Sequence, residues 1–462
     1  MIRLQPTIIS DVQIPALYLF EGEKANYVLN PDNGTGILVD ALLAKAWKKN
    51  QISEKLLEKI ISRGLTGCTF QDKCGVLKAK PSFFLIDMTN NCNFSCRYCL
   101  RDAKAKHCVM TNEMLTAILD SIITYCRKNN EQHISIQPWG GEPLLELEKI
   151  LSIREKMQRD APDLHVNISV ETNGSLITAD VARKLIEANI GIGISIDGPR
   201  EIHNAQRITV QGHETFDAVM QGIRNMQEAG DSNLGSISVI TREHVSKIGT
   251  ILEFFAHDLP GVSIKINPMR SPGNTEAINN AVTPEDMPFF IENLVNGIVH
   301  LMKNGIRVSE GNVSSALRNL LCRDPHNICK SHGCQGGWKM IIFDQRGDYY
   351  PCEMVDRPEE RIGNISDSQD FNEAIQAAAE KHEFFKRKEK PECQLCPWKY
   401  YCQGGCTSAL LYQHGRLEGV DEVSCSQTKE LYQRIMTLII QEPKLAISLA
   451  GLEPIRRHNS AS

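Results

Sequence analysis

The clearest chemical signal in this sequence comes from three closely spaced cysteines. Cys92, Cys96 and Cys99 have the spacing Cys-x3-Cys-x2-Cys, so one short segment (residues 91–99, the triplet loop) presents three thiolates. Three thiolates can bind three irons of a [4Fe-4S] cluster and leave the fourth iron open to a substrate. Zinc and disulfides are the alternatives, but structural zinc sites need four ligands, usually in paired Cys-x2-Cys knuckles. The spacing therefore favours a cluster with an open iron.

Three later motifs each follow a short apolar run. They are Gly140-Gly-Glu142, Thr172-Asn-Gly174 and Ser195-Ile-Asp-Gly-Pro199. Each of them alone is common in loops. Together with the triplet loop at this distance, they resemble the radical S-adenosylmethionine (SAM) enzymes. In that family the open iron binds the amino and carboxylate groups of SAM. One electron then splits SAM into methionine and a 5′-deoxyadenosyl radical, which removes a hydrogen atom from the substrate.

The resemblance implies a cofactor site around the triplet loop. Glu142 would accept a hydrogen bond from the SAM ammonium, Ser195 would bond the ribose or the carboxylate, and Arg207 would pair with the carboxylate. A surface charge is the alternative for Arg207. His203 is expected to be structural, and Asn204 stands where the family usually has Asp. The implied SAM-binding residues are Tyr98, Gly140, Gly141, Glu142, Ser195 and Arg207.

The cysteines near the C-terminus resemble the SPASM extension found in some radical SAM enzymes. In fully ligated members this extension holds two further [4Fe-4S] clusters, which implies three clusters in all. A zinc ribbon is the rival interpretation, because a Cys-x2-Cys pair alone looks like a zinc knuckle. Cys322 could replace Cys329, or one iron could stay open. The implied ligands are Cys329, Cys334, Cys352 and Cys406 for the nearer cluster, and Cys393, Cys396, Cys402 and Cys425 for the outer one.

Short apolar runs alternate with helical patterns between the two cysteine-rich regions. In the first helical pattern, one face is apolar from Met114 to Ile123, and Thr111 can serve as the N-cap. Six strand-then-helix units predict a parallel sheet in the α/β class, specifically a partial (β/α)6 TIM-like barrel. Chemistry in such barrels lies at the carboxyl ends of the strands, where the triplet loop begins. The predicted strands are residues 83–88, 134–136, 166–170, 192–196, 236–240 and 263–266.

The cysteine distribution separates three parts of the chain, and with the tail and the resemblance four regions are predicted. Residues 1–80 form an N-terminal α+β extension, 81–310 the radical SAM barrel, 311–440 the Cys-rich SPASM domain, and 441–462 a C-terminal tail. Residues 16–20 and 26–29 of the extension look like strands that flank the turn Glu21–Lys24, and Asp32–Gly34 is a second turn signal. Strands followed by small helices resemble a winged-helix element that recognises leader peptides. An extension that only caps the barrel is the alternative.

Composition limits the classes of partner. The 462 residues are 42% hydrophobic and 23% charged, with a net charge of −5, so no overall basic field attracts nucleic acid. Neither a secretory signal nor a long apolar run is visible, and we expect no membrane span. Sixteen cysteines without an export signal favour metal or cluster ligation in a reducing cytoplasm. An electron donor such as flavodoxin or ferredoxin is the expected redox partner.

Enzymes with SPASM extensions mostly modify peptides or proteins. The resemblance therefore implies an oxidative cross-link, thioether or carbon–carbon, in a ribosomally synthesised peptide. The alternative is an anaerobic sulfatase maturase that oxidises Cys or Ser to formylglycine. Such maturases generally place Asp after the cysteine equivalent to Cys352, as a proton acceptor, whereas Glu353 stands here as the candidate catalytic base. A non-enzymatic iron-sulfur or zinc scaffold is a third hypothesis, but it would not explain the presence of the Gly140-Gly-Glu142 segment.

Overall fold

The N-terminal unit combines a small antiparallel sheet with two helices, in agreement with the turn signals. The strands predicted around 16–20 and 26–29 pair with each other, and the sheet order is β1-β4-β5-β6, with β2–β3 as a separate hairpin. Asp40 and Ser53 cap the two helices. The elements are β1 (Ile2–Leu4), β2 (Thr7–Ile9), β3 (Val12–Ile14), β4 (Leu17–Phe20), β5 (Asn26–Leu29), β6 (Gly36–Val39), α1 (Ala41–Lys48) and α2 (Glu54–Ser62).

The structure is a computed structural model, and some short stretches of the chain fall outside what it describes. Cys68 and Cys74, which the sequence left without a role, lie outside the described residues, as does the polar end of the chain beyond Leu452. The described residues are 1–9, 12–49, 51–66, 79–99, 107–231, 233–269, 279–322, 329, 333–355, 358–385 and 390–452.

Six parallel strands form the predicted partial (β/α)6 barrel. They stand side by side in chain order, and all six predicted strands are present with ends that differ by a few residues. The alternation that puts isoleucine and valine on the helix-facing side explains why these segments are strands. The strands are β7 (Phe83–Thr89), β8 (His133–Gly140), β9 (His165–Thr172), β10 (Ile190–Ser195), β11 (Gly235–Ile240) and β12 (Ser263–Pro268).

Helices cover the convex side of this sheet. The first begins where predicted, because the Thr111 hydroxyl oxygen accepts a hydrogen bond from the Met114 N–H at 3.1 Å. Its apolar face from Leu115 to Ile123 is buried against the sheet. The helices are α3 (Asn112–Lys128), α4 (Leu147–Asp160), α5 (Ala179–Glu187), α6 (Arg200–Gln206), α7 (Phe216–Glu228), α8 (Ile248–His257), α9 (Met287–Lys303) and α10 (Gly311–Cys322).

The C-terminal unit extends the barrel sheet, which the sequence did not predict. Its first strand pairs in parallel with β7, from Met340 opposite Phe83 to Phe343 opposite Ile86, and two antiparallel strands complete a nine-stranded sheet. The elements are β13 (Met340–Phe343), β14 (Asp348–Tyr350), β15 (Gly363–Asn364), α11 (Phe371–Lys381), α12 (Lys399–Cys402), α13 (Thr407–His414), α14 (Glu422–Gln441) and α15 (Pro443–Leu449).

The region predicted as a C-terminal tail from residue 441 begins with a packed helix. Helix α15 occupies residues 443–449, and its Ala446 is fully buried. Proline at the first position and apolar residues along one face favour this helix. Among the described residues, no helix combines the length and the apolarity that crossing a membrane requires.

The N-terminal sheet packs directly on the C-terminal unit. The Tyr401 hydroxyl donates to the Gly34 carbonyl at 2.8 Å, and Lys399 forms an ion pair with Asp32 at 2.6 Å. The Tyr18 hydroxyl donates to the Leu395 carbonyl at 2.5 Å. The turn between β5 and β6 therefore rests on α12, beside the Cys393–Cys396 segment.

Candidate active site

The triplet loop leaves the carboxyl end of β7 and is held by the loop that follows β8. The Gly141 N–H donates to the Thr89 carbonyl and the Glu142 N–H to the Asn91 carbonyl, both at 2.8 Å. On the other side, the Ser95 N–H donates to the Ile208 carbonyl at 2.8 Å. The three cysteines therefore lie at the carboxyl edge of the sheet, as the barrel prediction requires.

Gly140 and Gly141 provide the room for this contact. A Cβ on Gly141 would lie 2.7 Å from the Asn91 carbonyl carbon and 2.9 Å from the Asn90 oxygen. A Cβ on Gly140 would collide with the Thr89 carbonyl in the same way. The space that these glycines leave is filled by the triplet loop. This gives the Gly-Gly pair a structural reason beyond the predicted approach to SAM.

Glu142 is buried and ties two neighbouring loops together. Its carboxylate accepts from the Thr172 hydroxyl at 2.6 Å, from the Asn173 N–H at 2.8 Å and from the Leu144 N–H at 3.0 Å. Burial raises the pKa of Glu142, and the three donors oppose that rise. The Thr172-Asn-Gly174 motif thus serves as the partner of Glu142, a role that the sequence did not assign to it.

Asn93 joins the triplet loop to the loop after β9, a role that no pattern in the sequence indicates. The Asn173 amide donates to Asn93 Oδ1 at 2.8 Å, and the Asn93 amide donates to the Ser175 hydroxyl at 2.9 Å. Ser175 in turn donates to Asn173 Oδ1 at 2.7 Å. The loops after β7, β8 and β9 are therefore one hydrogen-bonded unit.

Arg207 is buried beside the triplet loop, which excludes the surface alternative. Its guanidinium donates to Asp197 Oδ2 at 3.0 Å and to Oδ1 at 3.2 Å, and lies 5.3 Å from the centre of the Tyr98 ring. The Tyr98 hydroxyl also donates to Asp197, at 2.7 Å, as does the Val239 N–H at 2.9 Å. Burial alone would lower the pKa of Arg207, but Asp197, Tyr98 and Cys96 raise it. Asp197 is the central residue that the sequence analysis missed.

The remaining predicted residues lie around this pair. Ser195 is half-buried at the end of β10. His203 is fully buried, with its ring nitrogen 3.0 Å from the Thr215 hydroxyl, and burial lowers its pKa to about 4. A neutral, enclosed imidazole agrees with the structural role predicted for it. Asn204 Oδ1 accepts from the Thr215 and Phe216 N–H groups at 3.2 and 3.0 Å, a task that Asp could also perform.

Electrostatic interactions link several cysteines within each of the three sets that the resemblance implies. The pKa of Cys92 rises to about 11 and that of Cys96 to about 12, through burial first and then, among other charges, through Cys99. The pKa of Cys352 is raised by burial, then by Glu353, Cys334 and Cys406.

Cys329 belongs with the second set. Desolvation, followed by Glu353, Cys334 and Cys406, raises its pKa to about 12. Cys322, at the end of α10, and Cys329 are both exposed as whole residues. The charges around the Cys329 thiol favour it as the fourth member of the second set. In the third set, the pKa of Cys393 rises to about 12 through burial, then Cys402, Cys396 and Cys425.

Backbone hydrogen bonds to sulfur recur across these sets. The Phe94 N–H donates to Cys92 Sγ and the Met354 N–H to Cys352 Sγ, both at 3.4 Å. Cys396 and Cys402 each receive a backbone hydrogen bond in the same way, from the residue two positions further on. Donors aimed at sulfur stabilise a thiolate and tune an iron-sulfur cluster.

The protonation behaviour of the buried cysteines fits iron-sulfur clusters. These buried thiols would keep their protons unless a cation stabilised the thiolate, which cluster irons do. Among the described residues, no three Cys, His, Asp or Glu side chains converge closely enough to share one metal ion. In a [4Fe-4S] cube each thiolate binds a different iron, so the ligands do not need to converge on one point.

Glu353 lies next to the second set. The Cys352 thiol donates to its carboxylate oxygen at 3.2 Å, and the side chain is half-buried. The structure therefore places Glu353 beside a cysteine and not on the open surface.

Family comparisons agree with this architecture. A model described as the radical SAM superfamily matches residues 86–255, and a model described as an iron-sulfur cluster-binding domain, SPASM, matches residues 334–397. The chain is an enzyme of the radical SAM superfamily and carries a SPASM domain. The superfamily uses SAM and a [4Fe-4S] cluster.

Several curated relatives are maturases. The cysteine-type anaerobic sulfatase-maturating enzyme of Clostridium perfringens is 26% identical over 345 residues, which is 70% of this chain and 88% of the relative. The mycofactocin maturase MftC of Mycolicibacterium smegmatis is 25% identical, over 72% of this chain and 80% of the relative. The radical SAM cyclopropyl synthase TigE of Paramaledivibacter caminithermalis is 22% identical, over 76% of this chain and 72% of the relative.

Two solved structures have the same fold. The native anSMEcpe enzyme with bound AdoMet and Kp18Cys peptide is 25% identical, with a TM-score of 0.67 over 80% of this chain and 100% of its own. SuiB of Streptococcus suis, bound to precursor peptide SuiA, is 14% identical, with a TM-score of 0.53 over 91% of this chain and 100% of its own. The second likeness concerns the fold alone.

Proposed function

We propose that this enzyme introduces an oxidative cross-link, thioether or carbon–carbon, into a ribosomally synthesised peptide. The observation that carries the proposal is the coexistence of three cysteine sets with a folded N-terminal unit that packs on the C-terminal one. The relatives named above as maturases support a peptide or protein substrate. The peptide bound in the anSMEcpe structure supports the same substrate class.

Three [4Fe-4S] clusters and SAM are the proposed cofactors. Cys92, Cys96 and Cys99 would hold the cluster that cleaves SAM, and this cleavage supplies a 5′-deoxyadenosyl radical. The nearer SPASM cluster would be held by Cys329, Cys334, Cys352 and Cys406, and the outer one by Cys393, Cys396, Cys402 and Cys425.

The chain's own groups would keep SAM beside the triplet loop. Gly140, Gly141 and Glu142 present backbone and carboxylate there. Ser195 and Arg207 lie at the end of the fourth barrel strand and just beyond it. Tyr98 packs with Met269 and Val239 in the same region. Asp197 holds Arg207 through two hydrogen bonds.

The proposed reaction balances without an external oxidant. One electron, from a donor such as flavodoxin or ferredoxin, enters when SAM is cleaved. One hydrogen atom leaves the peptide to form 5′-deoxyadenosine. Closing the new bond to sulfur or carbon then releases one proton and one electron. The peptide becomes two hydrogens lighter, and the electron that entered is returned. Glu353 would accept the proton.

The N-terminal unit is the proposed leader-binding element. Strand β6 stands at the edge of its sheet among the described residues, so its outer backbone groups can pair with an added strand. Leu38 on that strand is 42% exposed and Leu42 just after it is 79% exposed. An extended leader with apolar side chains would satisfy both the edge and these leucines.

Formylglycine formation in a sulfatase is the second candidate. The 26% identity to the cysteine-type sulfatase maturase over most of both chains favours it. Two features count against it: Glu353 in place of the usual Asp, and the folded N-terminal unit, since the anSMEcpe likeness covers 80% of this chain and the whole of that one. A sulfatase peptide with Cys or Ser is therefore the comparison substrate.

Two cysteine variants test the proposal. Cys92→Ala should abolish formation of 5′-deoxyadenosine, whereas Cys406→Ala should retain it and lose peptide modification. Cys322→Ala, an exposed cysteine outside the three sets, is the control and should behave as the wild type. The measurement is chromatography of 5′-deoxyadenosine with mass spectrometry of the peptide under anaerobic conditions. Cleavage of SAM that persists in Cys92→Ala would refute the proposal.

A further inference from the structure

The concave face of the barrel differs from its helix-facing side. Side chains alternate along each strand, and the residues that face the helices, such as Ile168, Val170 and Ile194, are buried and apolar. The alternate residues of β9, β10 and β12 face the interior of the partial barrel. They are polar or lack a side chain, and they include Ser169, Glu171, Gly191, Gly193, Ser195 and Lys265.

The Glu171 side chain occupies a space (the seat) that exists because position 193 is a glycine. Gly193 lies opposite Glu171 in the strand register, and a Cβ on Gly193 would come within 2.7 Å of the Glu171 Cδ. The carboxylate therefore lies flat over the Gly193 backbone, in the space that any other residue would fill. Glycine weakens a strand interior and often marks a close approach. Here the group that approaches is a carboxylate on the concave face.

One oxygen of this carboxylate has unmet bonding capacity. Glu171 Oε2 is buried and has no hydrogen-bond partner among the described residues. Burial raises the pKa of Glu171, and Lys265 opposes the rise. A buried carboxylate oxygen without a donor is unfavourable, so a ligand that brings an N–H to this place would be stabilised.

Lys265 lies across the concave face from Glu171. The register runs from Glu171 to Gly193 to Gly235 in one row, and from Ser195 to Ile237 to Lys265 in the next row toward the carboxyl edge. Gly193 and Gly235 (the glycine floor) follow Glu171 in the first row, and Ile237 lies beside Lys265 in the second. Lys265 also acts electrostatically on Cys329. Lys265 therefore lies within electrostatic range of both Glu171 and Cys329.

We propose that Glu171 and Lys265 bind the backbone of the substrate peptide on this glycine floor. Glu171 Oε2 accepts a hydrogen bond from a peptide N–H, and the Lys265 ammonium donates to a peptide carbonyl. Glu171 and Lys265 are positioning residues, and their role rests on the proposed function in that the substrate is a peptide.

Variants at Glu171 give the test, with the reconstituted holoenzyme and SAM. The probe is the fluorescein-labelled product of a short open reading frame encoded beside the enzyme, and the readout is its dissociation constant by anaerobic fluorescence anisotropy. Glu171→Leu fills the seat without an acceptor and should weaken binding about tenfold or more. Glu171→Gln keeps an acceptor oxygen and should stay within about threefold of the wild type. Lys265→Met should resemble Glu171→Leu.

A modified peptide separates this role from a general packing defect. N-methylation of each backbone N–H in turn should identify one position that weakens binding to the wild type and has no further effect in Glu171→Leu. Iron content checks that each variant is intact. Equal binding by wild type and Glu171→Leu would overturn the inference. An equally large loss in Glu171→Gln would overturn backbone recognition in favour of a cationic side chain. Failure of the wild type to cleave SAM would instead count against the proposed function.

Discussion

At the scale of single residues, Asp197 organises the centre of the site. Its two oxygens accept from Arg207, Tyr98 and the Val239 N–H. The donors come from the triplet loop, from the segment after α6 and from β11, three places far apart in the chain. The sequence shows Asp197 within a motif but cannot show that these donors converge on it. Cysteine spacing, in contrast, is local, and it alone indicates the triplet Cys92, Cys96 and Cys99, whereas the two SPASM sets are what the family resemblance implies.

Asp197→Ala should destabilise the protein strongly. Arg207 is 6% exposed, and removing its partner leaves a buried charge without compensation, which costs about 3–5 kcal/mol of unfolding free energy. Denaturant unfolding under anaerobic conditions measures the change. The control is Asp217→Ala, which breaks the exposed pair between Arg200 and Asp217 and should change stability little. Equal effects of the two variants would contradict the central role of Asp197.

His203 should make stability depend on pH. Burial lowers its folded-state pKa to about 4, below the ordinary value of about 6.5. At neutral pH the His203 imidazole is uncharged in both the folded and the unfolded state. As pH falls from about 6.5 to 4, His203 binds a proton in the unfolded state but not in the folded state. The free energy of unfolding therefore decreases by up to about 1.4 kcal/mol per pH unit. His203→Gln should flatten this slope in urea unfolding, whereas the exposed His257→Gln should not. Parallel slopes for His203→Gln and wild type would contradict this account.

At the scale of elements, the loops after β7, β8 and β9 form one unit. Short apolar runs predicted all six barrel strands, because each strand buries apolar residues on its helix-facing side. The same patterns could not predict β13–β15, which are two to four residues long and depend on pairing with distant β7. The hydrogen bonds between the loops could not be predicted either, because they join residues that are far apart in the sequence.

Gly141→Ala should loosen the triplet loop. The added Cβ would lie 2.7 Å from the Asn91 carbonyl carbon, so the backbone that carries Cys92 must move. We expect fewer irons per chain after reconstitution and a weaker cluster absorbance, measured by iron analysis and visible spectroscopy. Gly249→Ala is the matched control, since a Cβ there meets nothing within 4 Å. Wild-type iron content in Gly141→Ala would show that the contact is not needed.

At the scale of the whole molecule, the N-terminal unit and the cysteine-rich unit meet directly. Tyr401 bonds Gly34, and Lys399 pairs with Asp32. The sequence predicted an α+β extension but not its contact with the C-terminal unit. The residues of a surface turn do not indicate which part of the protein the turn contacts. This contact brings the proposed leader-binding strand into the same body as the barrel. A leader held there would keep the rest of its peptide near the concave face.

Charged residues on the edge strand should weaken leader binding. Leu38→Lys combined with Leu42→Lys removes apolar contacts at the edge of the N-terminal sheet, and we expect about tenfold weaker binding of a labelled leader peptide. Leu145→Lys changes a leucine that is similarly exposed, at 43%, beside the barrel and should have no effect. Fluorescence anisotropy measures all three proteins. A loss shared by the control would indicate a general effect of charge.

The central claim is that this enzyme uses a SAM-derived radical to cross-link a peptide, and the mass of the peptide tests it most directly. The reconstituted protein is incubated anaerobically with reductant, SAM and the product of a short open reading frame encoded beside it. The account predicts formation of 5′-deoxyadenosine and a peptide lighter by two hydrogens, with fragmentation that locates the new bond. An unchanged peptide in that reaction, together with conversion of a sulfatase Cys or Ser peptide to formylglycine, would contradict it.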